Sequence, residues 1–459
     1  MTTFKQPEWL YDAIFYQIFP DRFANGDPSN DPEAVLPWGS EPDREHFMGG
    51  DLQGIIQNMD YLQSLGINAL YLNPIFKAGT NHRYDTFDYY EIDPALGTKA
   101  VFKQLVEKAH RMGIRIVLDG VFNHCGLEFG PFLDLIKNGN KSAYKDWFMV
   151  ESFPVNSNPL TYQTCGGAEY LPKLNTANLE VQEYFLKVAE YWIREFGIDG
   201  WRLDVPWKAD FEFWKRFRSR VKEVRQDAYI VGEIWRDTLT WLDGSTCDGT
   251  MNYPLREYLL DYCIYDHMDA EDFSYFLSRW IDVLGENRSS QLNLVGSHDT
   301  PRMLELAGGD ISKVTMAIGL QFILPGVPMI YYGDEVGIRG VNDPDCRRCM
   351  KWDSDEWNMD IFQYYQKMIL IRKDNSWLST AQVRIEKVFN GLLVMWLENG
   401  NNRILVVANS KGISHNQSIA LEGVKSNKIM ELITGTHYNI DENLFLEKIS
   451  ERSIMLFMV

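Results

Sequence analysis

Short apolar runs alternate with stretches of helical periodicity from the start of the chain to about residue 374. The runs at 13–18, 69–72, 115–119, 199–204, 229–233, 250–253, 292–296 and 328–332 predict eight strands. Apolar positions recurring every three to four residues predict intervening helices over 52–65, 100–112, 179–196, 211–225, 270–284 and 311–324. Strands that alternate with helices imply a parallel α/β sheet, and eight of them close naturally into a (β/α)8 TIM barrel. The barrel is predicted over 1–122 and 179–380. Residues 123–178, rich in Gly, Pro and Asn, form an insertion after the third strand that would overhang the barrel mouth. Beyond 380 the helical period disappears. Runs such as 392–397 and 403–408, flanking the turn signal Glu398-Asn399-Gly400, predict a C-terminal antiparallel β-sandwich over 381–459.

Composition narrows the possible partners. A net charge of -19 repels phosphate backbones and anionic bilayers, so no nucleic acid and no membrane partner is expected. The mostly apolar stretch 314–332 contains Gln321, Pro325, Gly326 and Pro328, and reads as a buried helix, a turn and a buried strand. The first ten residues lack a basic region followed by an apolar run, which predicts no signal peptide and a cytoplasmic protein. Six scattered cysteines do not make a disulfide scaffold, and Cys346-Arg-Arg-Cys349 has no second pair to complete a zinc site. Free thiols in a loop are expected there. The 14 Trp, 23 Tyr and 25 Phe are mostly core, though their flat faces also suit a sugar-binding cleft.

The candidate chemistry gathers at strand ends. Along the fourth strand the period of two puts Gly200, Arg202 and Asp204 on one face and Trp201, Leu203 and Val205 on the other. The third strand ends in Asp119-Gly-Val-Phe-Asn123-His124, the fifth in Glu233-Ile-Trp235, and the seventh in Ser297-His298-Asp299-Thr300. A single strand-end carboxylate is ordinarily a cap or an ion pair. Four strands bringing carboxylates to one mouth would repel one another unless a ligand or a reaction required them. Two carboxyl groups, one to attack and one to protonate a leaving oxygen, suit glycoside hydrolysis. A G-x-S-x-G elbow and an H-E-x-x-H zinc motif are both absent from the sequence.

These four strand-end segments resemble the signature regions of the α-amylase superfamily, glycoside hydrolase family 13. Leu171-Pro-Lys-Leu-Asn175, Tyr331-Tyr-Gly-Asp-Glu335 and Asn342-Asp-Pro-Asp-Cys-Arg347 resemble its neopullulanase, cyclomaltodextrinase and maltogenic amylase subfamily. The resemblance implies that Asp204 is the nucleophile, Glu233 the general acid and base, and Asp299 the third carboxylate. It further implies sugar contacts from His82, Tyr84, Asp85, His124, Arg202, Trp235, His298, Asp343 and Arg347. Arg202 is expected to keep Asp204 ionised, whereas Glu233, with no basic neighbour in sequence, is expected to hold a proton near neutrality. With the two carboxyls roughly 5 Å apart, retention of configuration follows.

The segment Asn25-Gly-Asp-Pro-Ser-Asn-Asp31 reads by composition as Asx turns, and it also resembles the subfamily's calcium loop. The implied ligands are Asn25, Asp27, Asn30, Asp31, the Gly49 carbonyl and Asp51, around a structural Ca2+. Two departures stand out. The subfamily's N-terminal β domain is not found ahead of the first strand, so a monomer or weak oligomer is expected. Trp207 and Lys208 replace the subfamily's Asn and Glu after the nucleophile. The expected activity is retaining hydrolysis of α-1,4 bonds in maltooligosaccharides, cyclodextrins or pullulan and starch fragments, with or without transglycosylation. The alternatives are an α-1,6-glucosidase or glucanotransferase on the same scaffold, and a noncatalytic carbohydrate-binding relative.

Overall fold

The computed structural model describes residues 6–33, 35–421, 423–424 and 426–459. Residues 1–5, half of the stretch read for a signal peptide, lie outside them. All eight predicted barrel strands form: β1 (Phe15–Ile18), β2 (Ala69–Leu72), β3 (Arg115–Gly120), β4 (Gly200–Leu203), β5 (Tyr229–Gly232), β6 (Gly249–Thr250), β7 (Leu292–Asn293) and β8 (Val327–Tyr331). They make one eight-stranded parallel sheet in the order β6-β5-β4-β3-β2-β1-β8-β7, a nearly closed TIM barrel. Contacts group the chain into two units. Among the described residues, the first holds 15–251 with the short pieces 6–8 and 347–350, and the second holds 9–14, 252–346 and 351–459.

In the first unit the register carries the functional argument. Val117 pairs with Gly200, Asp119 with Arg202, and Arg202 with Val231, so these residues share one face of β3, β4 and β5. Gly200 has to be glycine, because a Cβ there would sit 2.2 Å from the Tyr229 carbonyl oxygen. The opposite face of β4 carries Trp201, fully buried against Phe76, Phe122 and Phe217. The helix that delivers the chain to β4, Leu179–Phe196, starts where the Asn178 side chain accepts from the Glu180 and Val181 amides and stops at left-handed Gly197. It buries Val181, Phe185, Ala189 and Trp192, the face that its 3.6-residue period predicts.

The insertion 123–178 folds around its own aromatic cluster, with Phe132 4.9 Å from Phe148 and 5.1 Å from Tyr162 between ring centroids. One helix, Gly130–Asn138, and a series of isolated bridges, including His124 to Lys173 and Thr164 to Pro172, complete it.

In the second unit residues 382–459 form a six-stranded antiparallel sheet and a two-stranded sheet of Ser414–Ala420 with Asn443–Ile449. Trp396, Leu405 and Phe457 of the first share one core with Ile419, Leu444 and Leu446 of the second, which makes a sandwich. Gly400, at φ 60°, turns the hairpin between Leu392–Asn399 and Asn402–Asn409. Cys346 and Cys349 are free thiols as expected, and both are buried. No helix of the described residues is long and apolar enough to cross a membrane.

Candidate active site

β3, β4 and β5 bring three carboxylates to one guanidinium. Asp204 and Glu233 each continue the ladder past its last paired residue, the Asp204 amide donating to the Gly120 carbonyl (3.1 Å) and that of Glu233 to the Leu203 carbonyl (3.0 Å). Arg202 is fully buried. Its Nη1 donates to Asp119 Oδ1 (2.8 Å) and Asp204 Oδ1 (2.9 Å), and its Nη2 lies 3.0 Å from Glu233 Oε2 in an ion contact without hydrogen-bond alignment. Burial acts to lower the Arg202 pKa, yet Asp119, Tyr71 and Glu233 together raise it well above its ordinary value. The cation is therefore permanent. Burial raises the pKa of Asp119, opposed by Arg202 and by the hydroxyls of Tyr71 (2.6 Å) and Tyr84 (2.9 Å).

The expectation that Glu233 stands clear of basic groups is corrected here. Arg202 pairs across the ladder with Val231, two residues before Glu233 on the same face, and so reaches a side chain that is distant in sequence. Both Glu233 oxygens also accept hydrogen bonds, Oε2 from the Val205 amide (3.0 Å) and Oε1 from Trp235 Nε1 (3.0 Å). Donors of this kind favour the ionised form. Val205 reaches its position at φ 32° and ψ 51°, left-handed backbone that costs a β-branched residue about 1–3 kcal/mol. That strain directs its amide at Glu233.

The segment after β2 surrounds this cluster. The Tyr84 hydroxyl accepts from Asn73 Nδ2 (3.0 Å) while it donates to Asp119, and Gln17 Nε2 in turn donates to Asn73 (2.9 Å). The ring of His82 lies 5.8 Å from that of Tyr84, and its Nδ1 accepts from the Tyr84 amide (3.1 Å). Asp85 holds the loop itself, accepting from the Gly79 amide (3.0 Å) and from the Thr80 hydroxyl, so it shapes the site from behind. His124 is buried and kept neutral, its pKa pushed down to about 3 by burial and by the charge of Lys208. Its Nε2 has no partner among the described residues, which leaves a hydrogen-bonding position for a ligand. Lys208 lies over exposed Trp207, 5.0 Å from the ring centroid, and donates to Cys165 Sγ at 3.6 Å. Arg347 is buried, with its guanidinium 5.3 Å from the centroid of the Phe19 ring.

The second unit holds its share of the predicted residues after β7. The Thr300 amide donates to the Ser297 carbonyl (3.3 Å) and the Asp299 amide to Ser297 Oγ (3.3 Å), a tight turn that leaves Asp299 exposed beside buried His298. His298 Nε2 lies 3.2 Å from Asp299 Oδ2. Asp334 packs against this turn, and a Cβ on Gly296 would meet its Oδ2 at 2.5 Å. Asp343 is half-buried in the same unit.

The loop read for calcium is assembled in part. Asn25 Nδ2 donates to Asp31 Oδ1 (2.8 Å), and a Cβ on Gly49 would touch both side chains at 2.6 Å. Asn25 Oδ1 and Asn30 Oδ1 are buried without a partner, as oxygens facing a cation would be. Asp51 is otherwise engaged. It accepts from the amides of Gly26, Asp27 and Gly54 and from Asn30, capping the helix Leu52–Gln57, while Asp27 accepts from Ser29. No group of three or more His, Cys, Asp or Glu among the described residues is placed to hold a metal. The two open amide oxygens of Asn25 and Asn30 fit a hard cation, while the carboxylate oxygens of Asp31 and Asp51 already accept hydrogen bonds.

Sequence reasoning brought Asp119 to the barrel mouth without giving it a role, and left Tyr71 and Asn73 out of the site. The signal was present: Tyr71 and Asn73 share one parity at the end of β2, and Asp119 is itself a strand-end carboxylate.

The description "Alpha amylase, catalytic domain" matches residues 17–381. A cyclomaltodextrinase of a Bacillus species is 49% identical over 90% of this chain and 75% of its own length. The intracellular maltogenic amylase of Bacillus subtilis (strain 168) is 45% identical over 82% of this chain and 64% of its own. Among solved structures, a cyclic α-maltosyl-(1→6)-maltose hydrolase from Arthrobacter globiformis superimposes with a TM-score of 0.90 at 40% identity, covering 99% of this chain and 100% of that one.

Proposed function

Since this chain belongs to the α-amylase family of glycoside hydrolases, we propose that it is a retaining α-glucan hydrolase acting on α-1,4 bonds of maltooligosaccharides and cyclodextrins. The observation that carries the reading is the pairing of Asp204 and Glu233 on one buried, permanently charged Arg202. Asp204, ionised by that contact, attacks the anomeric carbon while Glu233 gives a proton to the departing glycosidic oxygen. The glycosyl ester on Asp204 is then opened by water, whose proton passes to Glu233, and retention follows from the two displacements. Glu233 carries donors on both oxygens at rest; when a sugar displaces one of them and lowers the local polarity, it takes a proton from solvent and can then serve as the acid. Asp299 and His298 bind hydroxyls of the sugar being cleaved, neutral His124 offers its free Nε2 to another, and Tyr84 stacks beneath the ring. Asp343 and Arg347 hold the next sugar, and Trp235 lies along the leaving side. The enzyme works in the cytoplasm, a reading supported by the name of its intracellular relative.

The full-length likeness to a hydrolase of a (1→6)-linked cyclic maltosyl substrate favours a second reading, in which such cyclic maltosyl sugars are the preferred substrates. Incubation with maltotriose, β-cyclodextrin, pullulan, panose and cyclic maltosyl-maltose, with products followed by NMR, separates the two. The reducing end newly formed at the cleaved bond is expected to appear first as the α-anomer with both maltotriose and β-cyclodextrin. A new reducing end formed first as the β-anomer, or no product from any of the five, would overturn the proposal.

We further place a structural Ca2+ on Asn25, Asn30, Asp31 and the Gly49 carbonyl, supported by the two unpartnered amide oxygens there. Millimolar calcium should raise the melting temperature of EDTA-treated protein by roughly 5 °C. An unchanged melting temperature would remove the ion.

A further inference from the structure

The turn at 165–171 of the insertion is fixed from several sides. The Cys165 amide donates to the Leu171 carbonyl (2.9 Å), the Leu171 amide to the Ala168 carbonyl (2.9 Å), and the buried Tyr162 hydroxyl to the Glu169 carbonyl (2.8 Å). Gly166 and Gly167, at φ 62° and 79°, make the reversal. Cys165, at its start, accepts from Lys208 on the segment that follows Asp204. The one aromatic side chain of this turn, Tyr170, remains 39% exposed. Its ring centroid lies 6.3 Å from His82 at 38°, and His82 lies 5.8 Å from Tyr84 at 37°. The three rings follow one another from Tyr84, which is bonded to Asp119, through His82 to partly exposed Tyr170.

A lone exposed tyrosine on a loop needs no explanation. This one is held on a rigid turn at the end of an aromatic series that begins at the carboxylate cluster, and flat rings with a polar edge suit the apolar face and hydroxyl rim of a pyranose. We propose that Tyr170 is a substrate-binding ring that takes a glucosyl unit beyond the one faced by Tyr84, and so sets preference for longer over shorter α-glucans. The assignment rests on the hydrolase reading above.

The test compares Tyr170→Ala and Tyr170→Phe with the unmodified protein on maltotriose and maltohexaose. Loss of a stacked ring is worth about 1.4 kcal/mol, a tenfold change. Tyr170→Ala is expected to raise KM for maltohexaose about five- to tenfold with kcat within about twofold, to move maltotriose little, and to leave the melting temperature unchanged. Tyr170→Phe, which keeps the ring, should restore the KM. Unchanged KM for maltohexaose in Tyr170→Ala, equal losses in both variants, or a loss that follows a lowered melting temperature would each overturn the role of Tyr170. Failure of the unmodified protein to hydrolyse either sugar would instead overturn the reading beneath it.

Discussion

Asp204→Asn is expected to lower kcat on maltotriose by at least about 10⁴-fold while the fold survives. A carboxamide of the same shape cannot attack the anomeric carbon, so the first displacement is lost outright. The structure gives reason to expect an intact protein. The amide oxygen can still accept from Arg202 Nη1, and Arg202 keeps Asp119 and Glu233 as its anions. Removing one of three crowded negative charges also relieves repulsion. Chromatography of the products and a thermal melt read the two halves separately. Turnover within tenfold of the unmodified enzyme would take the nucleophile's role away from Asp204.

Arg202→Leu has the other large effect, on stability as well as rate. It leaves Asp119, Asp204 and Glu233 buried around no cation, and an uncompensated buried charge costs about 3–5 kcal/mol. A fall of roughly 5–10 °C in melting temperature is expected, with activity close to background. Arg202→Lys keeps the charge but not the planar fork that spans two carboxylates from Nη1 and a third from Nη2. It should recover most of the stability and little of the rate. Full activity in Arg202→Lys would show that charge alone, without the fork's geometry, is what the carboxylates require.

The barrel was legible because its strands are apolar on both faces and its helices carry a clean period. Element ends were less so. The run at 250–253 read as a strand, yet only Gly249–Thr250 pairs, since the Asn252 side chain caps the Leu255 amide and Pro254 fits the first turn of the helix Tyr253–Cys263. The hairpin of Phe76–Ala78 with Thr86–Ile92 was missed because its bulged, half-exposed strands show no steady alternation. Within the site, Arg202 and Asp204 were legible from spacing along one strand. What spacing cannot show is a neighbour across the ladder. Asp119 and Glu233 meet Arg202 through the pairing of β3 and β5 with β4, and for that reason the charge beside Glu233 went unseen.

One consequence of the shared guanidinium reaches beyond any single variant. Because Asp119, Asp204 and Glu233 all lean on the same fixed cation, a proton arriving at one changes the field at the other two. The three carboxyls therefore titrate as one cluster. The midpoints of a pH–rate profile are then expected to be macroscopic constants of the cluster, none of them the property of a single carboxyl.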